Sequence, residues 1–231
     1  MCLKQAAGVS VFNVLQGLVI VLCFCFFVTA ALAQNLEPVL QTQEQAAPDP
    51  AQNRAAFISF VQGSLESGFM DEWRGAHPMK TMDEINKYLS TFNLWAYACQ
   101  DAPKFALNAE ETTLLNAFRK KAQDVQNQAF PKLRDAFGPI LRQQAQLHNV
   151  SARTVGLKFK LVEFYGQPFS AMANINQFNA RVRIALFQLR FEKADYKLTR
   201  NSEALRSIEI SAFKDSDMVV WHDDTEYEVI P

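Results

Sequence analysis

The run Asn174-Ile175-Asn176-Gln177-Phe178-Asn179-Ala180-Arg181-Val182-Arg183-Ile184-Ala185-Leu186-Phe187-Gln188-Leu189-Arg190, continued by Phe191-Glu192-Lys193-Ala194-Asp195-Tyr196-Lys197-Leu198-Thr199-Arg200, decides the fold class. Ile175, Phe178, Val182, Ala185, Leu186 and Leu189 recur at steps of three and four, the period of a helix with one apolar face. Directly afterwards Ala194, Tyr196 and Leu198 alternate with polar residues, the two-residue period of a half-buried strand. A helix from Asn174 to Arg190 therefore lies beside strands. On the upstream side, Leu157, Phe159 and Leu161 alternate with Lys158 and Lys160, which predicts a strand there, and Gly166-Gln167-Pro168 breaks the chain before the helix. Downstream, Arg200-Asn201-Ser202-Glu203 predicts a turn and Leu205 to Phe213 a returning strand with Ile208, Ile210 and Ala212 inward. Met218 to Trp221 predicts a last strand.

Toward the N-terminus the period is helical throughout. Asp49-Pro50-Ala51-Gln52 reads as a helix start followed by Phe57, Val61 and Leu65, with Gly63 and Gly68 near its end. Thr81-Met82-Asp83-Glu84 and Asn108-Ala109-Glu110-Glu111 are capping boxes, in which the first side chain and the glutamate three residues on satisfy each other's backbone donors. The helix opened by Thr81 carries Ile85, Tyr88, Leu89, Phe92 and Ala96 and runs to about Cys99. The one opened by Asn108 carries Leu114, Leu115, Phe118, Ala122, Val125 and Ala129, with Pro131 expected to end or kink it. A fourth helix is expected from Pro131, with Leu133, Phe137, Ile140 and Leu141, bent at Gly138-Pro139. The expected class is α+β: a helical bundle-like region over 51–150, then a strand-helix-strand-strand unit over 151–231 with an antiparallel sheet packed on the helices, the two forming one globular unit.

Ahead of the folded part, Gly17 to Ala33 is nearly all apolar, follows Lys4 and closes on Ala31-Leu32-Ala33. A charged region, an apolar region and a small-residue site in that order make a secretory signal peptide over 1–33. A retained anchor is the alternative, since about seventeen residues lie at the short end of a bilayer span. Cys23 and Cys25 follow Leu22 and Phe24, not the small residue that a lipid-attachment site needs. Residues 34–50, rich in Gln, Ala and Pro, read as a flexible tether. The expected location is periplasmic or secreted, or else anchored in the inner membrane and facing the periplasm, with membrane contact only through the signal segment. Cys99 is then the one cysteine of the mature chain, so no internal disulfide is expected.

The second half resembles a module of uncharacterised bacterial proteins, several of them exported. Phe130-Pro131-Lys132-Leu133-Arg134-Asp135-Ala136-Phe137, Asn174-Ile175 with Phe178, and Leu189-Arg190-Phe191-Glu192-Lys193-Ala194-Asp195-Tyr196-Lys197 carry the likeness, over roughly residues 120 to 213. It implies a bacterial origin and an α+β module. It implies no reaction.

Charge narrows the function classes. The chain has 23 basic and 24 acidic residues, and no basic stripe with interleaved aromatics stands out, so nucleic-acid binding is not expected. Arg181, Arg183 and Arg190 read as part of a solvated helix face. No nucleophile elbow, zinc-protease motif or glycine-rich phosphate loop occurs. His77, His148 and His222 lie far apart and read as surface residues; neither a metal nor a cofactor is expected. Asp215, Asp217, Asp223 and Glu226 match four positions of a calcium-loop count, but Val220 stands where that loop needs glycine, and Met218-Val219-Val220-Trp221 suits a strand better. Cys99, near a helix C-terminus among aromatics and alanines, reads as a buried structural thiol. Asn149-Val150-Ser151 is a glycosylation sequon that matters only in a eukaryotic cell.

The expected function is non-catalytic binding of an unknown protein partner or a ligand, outside the cytoplasm. An enzyme whose site converges only in three dimensions is the alternative, its catalytic residues unknown, with Glu163 or Asp195 as acid/base candidates. A carrier of a small apolar ligand is a third possibility. Processing after Ala33 is directly testable: mass spectrometry of exported protein should find Gln34 at the new N-terminus, and an intact Met1 on membrane-bound material would establish the anchor.

Overall fold

The computed structural model describes residues 50–66, 68–223 and 225–230. The expected signal peptide, and the tether up to residue 49, lie outside them. Helix α1 (Pro50–Glu66) turns Phe57 and Val61 inward, and the single turn α2 (Phe69–Glu72) follows Gly68, whose φ of 68° suits a residue without Cβ. Helix α3 (Met82–Asp101) starts at the expected capping box: Glu84 N donates to Thr81 Oγ1 at 3.2 Å and Thr81 N donates to Glu84 Oε2 at 3.0 Å. Helix α4 (Ala109–Gln146) starts at the second box, with Glu111 N to Asn108 Oδ1 at 2.9 Å and Asn108 N to Glu111 Oε2 at 2.8 Å.

Helix α4 corrects the expectation of two helices meeting at Pro131. It runs unbroken for 38 residues with Pro131 and Pro139 inside it. Each proline removes the bond to the carbonyl four residues back, and those carbonyls belong to Asn127 and Asp135, both exposed. Asn127, Pro131, Asp135 and Pro139 thus form one outward stripe where water can satisfy the freed carbonyls. The inward stripe of Val125, Ala129, Phe130, Leu133, Phe137 and Leu141 stays buried across both prolines.

The remaining elements are β1 (Ser151–Val155), β2 (Leu161–Tyr165), α5 (Met172–Gln188), β3 (Lys193–Lys197), β4 (Ala204–Glu209), β5 (Met218–Trp221) and β6 (Tyr227–Ile230). This is the expected α+β class, helices first and strands after. The four-stranded sheet has the order β1-β2-β3-β4 and is mixed. Antiparallel pairs β1/β2 and β3/β4 flank the parallel pair β2/β3, because a strand-helix-strand crossover through α5 returns the chain in the same direction. A separate antiparallel hairpin joins β5 to β6.

Two strand expectations change. Leu157 to Phe159 is a short 3₁₀ turn, not a strand. Gly156, Lys158 and Phe159 all have positive φ, Leu157 is 86% exposed and Phe159 37% exposed, so the alternation of apolar and lysine residues marks a connection between β1 and β2. Ile208 and Ile210 turn inward as expected, but Ala212 is exposed beyond the end of β4. Strands β1 and β6 carry no sequence-level alternation that was readable, since their outward residues are not uniformly polar.

The inner face of the sheet buries Ala152, Val162, Phe164, Ala194 and Tyr196. Helix α5 lays its expected stripe on that face. The Phe178 ring meets Phe164 edge-on at 5.0 Å between centroids and Phe169 at 5.6 Å, while Phe164 stacks on Tyr196 at 5.4 Å. Tyr196 Oη donates to Asn179 Oδ1 at 2.8 Å, and burial pushes its phenol far above the ordinary range. Gly166 lets the chain pass close by: a Cβ there would stand 2.9 Å from the carbonyl oxygen of Asn149. Helices and sheet share one continuous core. Phe178→Ala or Leu186→Ala should cost about 2 to 5 kcal/mol in chemical denaturation, as buried large-to-small changes do, while exposed Arg183→Ala should cost under about 0.5 kcal/mol. Parent-like stability of both core variants would overturn the packing of α5 on the sheet.

Candidate functional site

On the buried side of α4, Gln126, Phe130 and Arg134 follow one another at four-residue spacing, so two polar groups sit within an apolar stripe. Arg134 is fully buried and uses four of the five N–H donors of a guanidinium. Two go to Asp215, Nη1 to Oδ1 and Nη2 to Oδ2, each at 2.9 Å. Nε donates to the Lys158 carbonyl at 2.9 Å and Nη1 also to the Leu189 carbonyl at 3.1 Å. A planar fork is suited to this bidentate grip.

Arg190 is buried beside it, which corrects its placement on a solvated face with Arg181 and Arg183. Those two are exposed on α5. Arg190 stands past the end of the helix with φ of 60°, a left-handed conformation that redirects its side chain inward. It donates to the carbonyls of Lys214 at 2.8 Å and Asp217 at 2.7 Å, to the Asp215 carbonyl, and to Gln126 Oε1 at 3.1 Å. Its guanidinium carbon lies 3.8 Å from the centre of the Phe130 ring. Burial pushes it down to about 9, opposed by Asp215 and Asp217, so it remains a cation at neutral pH. Gln126 in turn donates to Met218 Sδ. The signal in the sequence was the presence of Gln126 and Arg134 on an otherwise apolar stripe.

Above this network opens a cleft of about 450 Å³, lined by the 157–161 connection, Glu192 and residues 214–216, with Asn127 on the α4 side. A smaller cleft of about 260 Å³ lies between His148, Phe169, Asn174 and Arg181, where Arg181 Nη1 sits 3.1 Å from both ring nitrogens of His148.

A second surface is apolar. Phe187 at the end of α5, Phe213 in the following loop, and Trp221 and Tyr227 on the hairpin touch one another in every pairing, with centroids 5.1 to 6.2 Å apart. Trp221 and Tyr227 are register partners, as are Val219 and Val229, so these side chains share the hairpin face opposite the one bearing Met218, Val220 and Ile230, which join the core. Tyr227 and Val229 are each 44% exposed, and Ile184, one turn before Phe187, is exposed too. Helix α3 fixes the hairpin from the other side: Asn93 accepts from Trp221 N at 2.7 Å and donates to Trp221 O at 3.0 Å, and Tyr97 Oη adds a bond at 3.1 Å.

The residues singled out in the sequence fall in different places. Glu163 and Asp195 are register neighbours on β2 and β3, on the outer face of the sheet. Glu163 is gripped by Arg153 and by Lys197 at 2.7 Å. Burial raises its pKa, but the bonds from these two cations outweigh burial and hold it below the usual carboxylate range. Asp195 accepts from Ser207 Oγ at 2.6 Å and pairs with Lys193 at 3.1 Å. Cys99 is buried and unpaired in any disulfide, and burial pushes its thiol up. His77 packs on Trp73 and Tyr88, His148 against Arg181 and Phe178, and His222 against Tyr97. Of the four carboxylates tested against a calcium loop, Asp215 holds Arg134, Asp217 accepts from Lys214 N, and Asp223 accepts from Thr225 and Glu226 N–H groups. Among the described residues no group of three or more His, Cys, Asp or Glu could hold a metal ion. No helix among them is long and apolar enough to cross a membrane. No protein-family model, curated protein or solved structure matches the chain.

The buried pair makes a quantitative prediction. Asp215→Ala should cost about 3 to 5 kcal/mol in urea denaturation, because it leaves Arg134 buried and uncompensated. Arg134→Met combined with Asp215→Leu should cost less than the two single changes summed, and additive costs would show that the pair is not coupled.

Proposed function

We propose that this is an exported bacterial protein that binds a macromolecular partner without catalysis, and that the partner docks on the aromatic face formed by Phe187, Phe213, Trp221 and Tyr227. One observation carries the reading: four mutually packed aromatic rings reach the surface together with exposed Val229 and Ile184. Large rigid aromatics with a polar handle lose little side-chain freedom on binding and contribute most of the energy at protein interfaces. The hairpin that carries two of them is clamped to α3 through Asn93 and Tyr97, so the face is held in shape before a partner arrives.

Two further points support binding over the alternatives. Glu163 and Asp195 are each engaged by cations or a hydroxyl, and Glu163 is held ionised, whereas an acid/base residue works best with a pKa near the working pH. The apolar inner face of the sheet, where a small apolar ligand would lodge, is filled by Phe164, Phe169, Phe178 and Tyr196.

Site-specific photo-crosslinking in cells tests this. A photoreactive phenylalanine analogue in place of Tyr227 should yield a discrete adduct, and the same analogue in place of exposed Arg200 should not. Adding Val229→Glu to the Tyr227 variant should abolish the adduct. No adduct from position 227, or the same adducts from both positions, would refute docking on this face.

A further inference from the structure

The cleft above the two buried arginines holds a charge pattern that the described residues do not balance. Lys160 is matched, since its Nζ lies 2.7 Å from Glu192 Oε1, and Asp215 on the floor is matched by Arg134. Lys158 and Lys214 also line the cleft, and among the described residues neither ammonium group has a carboxylate partner. Their backbones, in contrast, are fixed to buried cations. The Lys158 carbonyl accepts from Arg134 Nε at 2.9 Å, and the Lys214 carbonyl accepts from Arg190 Nη1 at 2.8 Å. Lys214 N donates to Asp217 Oδ2 at 2.8 Å. Lys158 has a left-handed φ of 56° and Phe159 one of 57°, which non-glycine residues adopt only where surrounding contacts impose them. Two buried guanidinium groups thus hold the backbones of two lysines that no described carboxylate compensates and that line one cleft.

The lining also includes two neutral donors, the Asn127 amide and the Ser216 hydroxyl. Both arginine forks are consumed inside, so planar bidentate recognition of a carboxylate is unavailable at the surface, whereas point-charge ammonium groups with hydroxyl and amide donors suit the spread oxygens of a phosphoryl group. Leu157, almost fully exposed, and Leu161 add an apolar wall. A volume of about 450 Å³ lies within the range of small-molecule sites and exceeds what a bare phosphate ion needs. We infer that this cleft binds a phosphomonoester, with the dianionic phosphoryl group between Lys158 and Lys214 and its organic part against Leu157 and Leu161. The cleft shares no lining residue with the aromatic face, and the inference does not rest on what binds there.

A soluble phosphomonoester and a lipid headgroup would present the same chemistry, and the test separates them. The protein as isolated from expressing cells is titrated calorimetrically with glycerol phosphate, and its sedimentation is followed with phosphatidylcholine vesicles containing or lacking phosphatidic acid. Saturable binding of glycerol phosphate identifies a soluble source; binding only to the phosphatidic acid vesicles identifies a lipid. In either arm Lys158→Ala or Lys214→Ala should weaken binding about ten-fold each, and Lys120→Ala, an exposed lysine elsewhere on α4, should leave it unchanged. Glu192→Gln removes a negative charge from the rim and frees Lys160, so it should tighten binding several-fold, a gain that no loss of folding could mimic. Absence of binding in both arms, equal binding of succinate, or equal weakening by Lys120→Ala would overturn the proposal.

Discussion

Two guanidinium groups with no access to water constrain this fold more than any apolar contact does. A buried cation is tolerated only when it is paired or hydrogen-bonded, and Arg134 and Arg190 donate to carbonyls from three separate stretches of chain and to the Asp215 carboxylate, with only Arg190 Nε of the two groups' nitrogens lacking a partner among the described residues. The 157–161 connection, the end of α5 and the 214–218 segment are irregular backbone, which has unpaired carbonyls to offer. Helix α4 supplies one arginine and Gln126, so a single long helix organises the loops at one end of the sheet. Apolar contacts could tolerate a shift of a few tenths of an ångström; a bidentate ion pair with two further carbonyl bonds has far less latitude.

The sheet separates two kinds of surface. Its inner face is an aromatic and aliphatic layer under α5, and its outer face carries a ladder in which Arg153, Glu163 and Lys197 form one group and Lys193, Asp195 and Ser207 another. Cross-strand ion pairs on a solvated face contribute little stability each, but they keep an open sheet face polar and so discourage association there. Part of the apolar surface that remains outside lies at the hairpin, where six aromatic contacts hold it as a small cluster of its own. The cleft over the arginines is lined by a different set of residues, lysines among them. The aromatic cluster and the cleft thus rest on different supports, the hairpin clamped to α3 in one case and the buried arginines in the other.

Much of the helical half was legible because capping boxes and stripes are local. Thr81 with Glu84 and Asn108 with Glu111 need no tertiary contact to act, and the apolar spacing of α3, α4 and α5 states which face goes inward. Pro131 and Pro139 misled because a proline weakens a helix by an amount set by who satisfies the freed carbonyl, and that depends on which side faces water. Lys158-Phe159-Lys160 misled for a related reason: alternation is also compatible with a turn, and only Gly156 hinted that the chain bends there. Arg190 was unreadable as a buried group, since a positive φ two residues past a helix end reverses the direction that the helical period assigns to it.

The sequence by itself determined the α+β class, the start of both long helices, the stripe of α5 and the buried state of Cys99, all of which follow from spacing within a few turns of chain. Tertiary structure decided the rest. The parallel pairing of β2 with β3, the meeting of Arg134 with Asp215 across 81 residues, the assembly of Phe187, Phe213, Trp221 and Tyr227, and the lining of one cleft by both Lys158 and Lys214 each join segments distant in the chain. Their association depends on burial and on satisfied donors in the folded molecule, quantities that no local period encodes.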